Sequence, residues 1–69
     1  MADAVRKMKQ DWLDLLQREL AAAGSSDPAR DAFVIDAYLV AANTRRELFG
    51  DDSRLALAGE LAHAVIDRL

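Results

Sequence analysis

This 69-residue chain has no cysteine, one proline, three glycines and a single histidine. Without cysteine there is neither a disulfide nor a thiolate metal site, and the redox compartment is left open. No glycine-rich loop cradles a phosphate, and no G-x-S-x-G places a nucleophile on a sharp turn. Long hydrophobic runs are also missing. The longest nearly apolar stretch, Ala32 to Ala42, is interrupted by Asp36, and a bilayer-spanning helix needs about 20 residues. Positive charge is in short supply. Nine basic residues are scattered among twelve acidic ones, for a net charge of −3. That balance speaks against a phosphate-tracking face and against an anionic membrane surface. Met1 is followed by Ala2-Asp3 rather than by a basic stretch and an apolar signal core, so the expected location is the cytoplasm.

What is present points to one small helical domain. Hydrophobic residues make up 52% and charged residues 30% of the chain, too apolar for disorder and too charged for a membrane protein. Yet 14 of the hydrophobic residues are alanine. A chain so short, with so many small side chains, gains from any partner that covers more of its apolar surface.

Only Gly24-Ser25-Ser26-Asp27-Pro28 and Gly50-Asp51-Asp52 interrupt segments rich in Ala, Leu, Arg and Glu, the strong helix formers. The reading is all-α, with three helices near 3–23, 28–49 and 52–68. Asp27 can cap the second helix and Pro28 suits its first position, where an amide would be unused. Gly24 and Gly50 are placed to end helices in the left-handed conformation, and Asp51 or Asp52 to start the third. Acid-first pairs Asp3 to Lys7 and Asp14 to Arg18 would support the first helix. The loops are short, so sequential helices are expected to be antiparallel neighbours.

In the first helix Val5, Met8, Trp12, Leu15, Leu16 and Leu20 recur at steps of three and four and form one apolar stripe. Lys9 falls on the wet face. The second helix is apolar on nearly every side from Ala32 to Ala42, so it needs neighbours on nearly every side. Two companions cover about two thirds of a helix, which leaves a face for a second copy across a two-fold axis. The expected homodimer interface comprises Phe33, Ala37, Tyr38, Val40, Ala41 and Leu48, with Gly59, Leu61 and Val65 from the third helix. Ala37 and Ala41 would allow close approach, and Gly59 would mark another tight crossing. Asp36 has Ala32, Phe33, Leu39 and Val40 as its helical neighbours, so no local cation pairs with it. It is expected at an exposed edge, paired from another helix by Arg18 or Arg54 or by a second copy, or reserved for a partner. Met8, Trp12 and Leu16 join it as partner-binding candidates, since Trp is enriched among interface anchors.

Chemistry is scarce. Ser25, Ser26 and Ser53 fall at turns and caps, where hydroxyls serve the backbone. Glu60 and His63 form a Glu-x-x-His pair, as in di-iron bundles, but no inward glutamate on a neighbouring helix completes it. A surface His63 paired with Asp67 is the plainer reading. The expectation is a non-enzyme with no cofactor and no metal.

The stretch from Asp27-Pro28-Ala29-Arg30 through Ala41-Ala42-Asn43-Thr44-Arg45-Arg46-Glu47-Leu48-Phe49-Gly50-Asp51-Asp52 to Val65-Ile66-Asp67-Arg68-Leu69 resembles the last two helices of TetR-family regulators. The resemblance implies dimerisation through helices 28–49 and 52–68. No helix-turn-helix accompanies it, so operator binding is not implied. Two functions follow as expectations. One is a small acidic homodimeric protein that binds and modulates another protein, as an inhibitor or anti-activator, with a basic DNA-binding domain as the favoured target. The other is a stand-alone dimerisation module.

Overall fold

The computed structural model describes residues 2–69. They form three α-helices and no strand: α1 (Ala2–Ala22), α2 (Pro28–Phe49) and α3 (Ser53–Asp67). The all-α reading holds, and each boundary lies within about a residue of its expected place, inside the usual ambiguity of helix ends.

The caps explain why. Leu20's carbonyl accepts from the Ser25 amide at 2.9 Å, and that of Ala21 accepts from Gly24 at 3.1 Å. This closure needs a residue at positive φ, and Gly24 supplies +105°. The Asp27 carboxylate accepts from the Arg30 amide at 3.2 Å, and Pro28 opens α2. Gly50, at φ +64°, ends it with its amide on the Arg46 carbonyl. At α3 the division of labour is finer than expected. Asp52 precedes the helix but makes no side-chain cap. Asp51 instead accepts from both the Ser53 amide, at 2.9 Å, and the Ser53 hydroxyl, at 2.5 Å.

The three helices form a flat layer rather than a closed bundle. The Cα trace measures 36 × 30 × 12 Å. Its radius of gyration is 13.1 Å, against about 11 Å for a compact domain of this length. Helix α2 packs against both neighbours, which scarcely touch each other. The core is correspondingly small. Leu20 of α1, Ala32 and Ile35 of α2 and Val65 of α3 are buried together, with Leu16, Val34, Tyr38 and Ala62 partly buried around them. Ala42 and Ala58 are buried as well.

Three sequence expectations are corrected here. Val65, expected at an interface between copies, is 2% exposed inside the chain's own core. Gly59 marks no tight crossing within the chain, because nothing of its own fold lies within 4 Å of the place its Cβ would occupy, so the crossing would have to be with a second copy. On α1 the ion pairs are Asp3 with Arg6 and Lys7 with Asp11. The expected partners are otherwise engaged, since Asp14 accepts from Gln10.

Candidate interaction surface

With α1 and α3 scarcely touching, the flat layer closes over few of its own side chains. Apart from Met1, the chain has 21 hydrophobic side chains larger than alanine. Fourteen are exposed, and only Leu20, Ile35 and Val65 are buried. The total accessible surface is 5207 Å², whereas a folded monomer of this mass is expected to expose about 4,300 Å². The excess, about 900 Å², matches the roughly 800 Å² that each partner contributes to a standard protein–protein interface. Scattered exposed apolar residues need no explanation, but contiguous ones mark contact sites.

The exposed residues are contiguous in two helical stripes. The first lies on α2. Phe33 is 74%, Val40 48% and Leu48 71% exposed, and Ala37, Ala41 and Thr44 are exposed between them. At 100° per residue these six fall on one side of α2, opposite buried Ile35 and Ala42. No charge interrupts the stripe, since from Ala32 to Thr44 the helix carries only Asp36. The second stripe lies on α1. Val5, Met8, Trp12 and Leu15 are spaced by three, four and three and are 68%, 72%, 40% and 46% exposed. Leu16, one residue further round, is instead partly buried against the core.

Between α2 and α3 runs a shallow groove of about 160 Å³. Tyr38, Ala41, Ala42, Leu57, Ala58 and Leu61 line it, and Arg45 and Arg54 stand beside them. Tyr38, expected at the dimer contact, is turned into this groove and is only partly exposed. Leu61 also opens to solvent, at 37%. The Arg45 guanidinium lies 5.4 Å over the Phe49 ring and meets Asp51 at 3.4 Å. The hydrogen bonds from the Ser53 hydroxyl and amide, aided by Arg45, hold the Asp51 carboxyl below its usual range.

Asp36 has a partner within its own chain. Lys9 reaches across from α1 and pairs with it at 2.5 Å. The candidates from sequence, Arg18 and Arg54, do not reach it. Lys9 had been placed on the solvent face of α1, which is right for an isolated helix. How α1 is set against α2 decides the pairing, and helical periodicity carries no such information. With its side chain 17% exposed and its charge compensated, Asp36 is removed from the residues free to recognise another molecule.

Glu60, His63 and Asp67 are exposed. His63 has no side-chain hydrogen bond or ion pair among the described residues, so the expected Asp67 pairing is not formed. No group of three or more His, Cys, Asp or Glu side chains is gathered as metal ligands among the described residues. None of their helices is long and apolar enough to cross a membrane. Comparison of the chain with protein-family models, with curated proteins and with solved structures finds no match.

Proposed function

We propose that this chain is a homodimeric helical protein that binds a second protein and modulates it, in the manner of an inhibitor or anti-activator in the cytoplasm. The observation that carries this reading is the exposure of fourteen of 21 large apolar side chains on a flat layer of three helices. The chain acts through surface rather than through bond-making chemistry. Its two apolar stripes lie on different helices, so one can serve self-association while the other stays open. The α1 stripe, with Trp12 and Met8 at its centre, has the anchor chemistry that concentrates binding energy. The net charge of −3 favours a basic partner surface, such as that of a DNA-binding domain, by steering its approach.

A second reading is a dimerisation module with no target beyond itself, like the terminal helices of TetR-family regulators. The uncharged outer stripe of α2 favours it, because that stripe falls within the resembling segment.

Affinity capture with the wild-type chain and with Met8→Ser/Trp12→Ala separates the two. The first reading expects a stoichiometric non-self protein that the double variant no longer retains, although its sedimentation mass stays that of the wild type. Recovery of the chain alone, at saturating bait, overturns the first reading in favour of the second.

A further inference from the structure

Self-association across a two-fold axis imposes a symmetry on the surface that makes it. If residue i of one copy meets residue j of the other, then j must also meet i. For two antiparallel helices, the contact positions must therefore be palindromic along the chain.

The outer stripe of α2 has that property. Its members are Phe33, Ala37, Val40, Ala41, Thr44 and Leu48. Phe33 and Leu48 lie equally far from a midpoint between Val40 and Ala41. Ala37 and Thr44 do so as well. The large side chains, 74% and 71% exposed, stand at the two ends, with smaller ones between them. In an antiparallel pairing about that midpoint, each Phe33 lies against the other copy's Leu48. Each Ala37 faces a Thr44, and the small residues let the backbones approach. The same register brings Arg30, which makes no ion pair among the described residues, opposite the acidic turn at Asp51-Asp52 of the second copy. A parallel pairing would instead place Phe33 on Phe33 and Arg30 on Arg30.

We infer that the outer face of α2 is the seam of a homodimer, with the two α2 helices antiparallel and the two-fold axis passing between Val40 and Ala41. This rests on the homodimer proposed above and adds its face, direction and register. The occupant is a second copy. The face is free of charge in a chain that is otherwise acidic, so like charges are not brought together.

The absence of native cysteine makes the test clean. Single Ala41→Cys and Val40→Cys variants place the introduced thiol next to its own counterpart across the axis. Each is expected to give a disulfide-linked dimer under mild oxidation. A lone Ala37→Cys is not, because the register sets it about 10 Å along the axis from its counterpart, at 1.5 Å per residue. That exceeds the ~7 Å between Cα atoms that a disulfide tolerates. Ala37→Cys combined with Thr44→Cys is expected to cross-link. Helicity by circular dichroism and sedimentation mass under reducing conditions accompany each variant. Cross-linking of Ala37→Cys alone, with none at 40 or 41, moves the axis and overturns the register, whereas cross-linking of the single variants at 37, 40 and 41 alike is the pattern of a parallel pair and overturns the direction; each leaves a dimer. A dimeric mass with no cross-link at any of these positions places the seam elsewhere and overturns the inference alone. A monomeric mass for the wild-type chain at high concentration overturns both the seam and the homodimer.

Discussion

Phe33→Ser is the sharpest perturbation of the proposed seam, because inside the monomer it should do almost nothing. The ring is 74% exposed, and surface substitutions away from special features change stability by about ±0.5 kcal/mol. In the dimer the same side chain is covered. Full burial of a Phe side chain is favourable by about 1.5–3 kcal/mol, so covering the three quarters still open contributes about 1–2 kcal/mol per copy. Two-fold symmetry makes every substitution a double one, which raises the loss to about 2–4 kcal/mol per dimer. At 1.4 kcal/mol per decade, the dissociation constant should rise about 30- to 700-fold. Sedimentation equilibrium over a wide loading range measures that constant, and circular dichroism at matched concentration checks helicity. A change of less than about threefold, with helicity retained, would refute the placement of Phe33 in the seam. Loss of helicity on dilution of the wild-type chain would mean that folding and pairing are one equilibrium. The comparison is then made through the concentration dependence of the melting temperature.

Other perturbations test the small core and the polar links around it. Leu20→Ala, at a site 3% exposed against Ala32, Ile35 and Val65, should cost about 2–5 kcal/mol. Domains hold only about 0.05–0.15 kcal/mol per residue, about 3.5–10 kcal/mol for this length, so the variant should lose a large share of its stability and melt well below the wild type; a thermal transition at the wild-type temperature would count against this core. Lys9→Ala strands the Asp36 carboxylate and should cost about 0.5–1 kcal/mol, the upper range for a partly exposed pair. Adding Asp36→Leu should recover most of it, since replacing an ion pair by apolar groups is often neutral; additive losses in the double-mutant cycle would show that the pair is not formed. Asp51 links the start of α3 to pH. Its folded-state pKa is depressed, first by the Ser53 hydroxyl and then by the Ser53 amide. Its contribution is complete above the ordinary carboxylate value and lost as pH falls through the depressed one. An acid titration of α-helical signal should show a shallower loss for Asp51→Ala than for the wild type over that window.

The helices were legible because their ends are written in local chemistry. Asp27-Pro28 is a cap followed by a residue with no amide to satisfy, and Gly24 and Gly50 are the two positions that must reach positive φ. Such signals act within four or five residues and do not wait for tertiary structure. The greasy circumference of α2 was legible for a related reason: composition alone says that two neighbours cannot shelter it. What could not be read was anything that depends on how one helix is set against the next. The Lys9–Asp36 pair spans 27 positions, and its existence depends on the rotation and slide of α1 along α2. Val65 was misplaced for the same reason. Leu61 and Val65 are four apart and share a side of α3, but that spacing does not say whether the side meets α2 or a second copy. Asp51 and Asp52 are equally good caps on paper, and only the path of the turn gives the amide and hydroxyl of Ser53 to the first of them.

The shape of the layer joins these local facts to the proposed role. A third helix that folded over α1 and α2 would have closed a compact bundle and hidden the outer face of α2. Here α2 instead stands between two helices that scarcely touch, so one of its sides is necessarily open. Fifteen residues in α3 span about 22 Å at 1.5 Å each. That is shorter than the 33 Å of α2, so α3 cannot cover α2 along its whole length. The charge pattern agrees with the geometry. Aspartate and glutamate are spread over α1, the turns, α3 and the ends of α2, while the exposed middle of α2 is left without any charge but the compensated Asp36. The outer face of α2 is a surface on which two copies of an acidic chain can meet without bringing like charges together, and under the proposed role the Trp12 stripe, on another helix, is the face offered to the second protein.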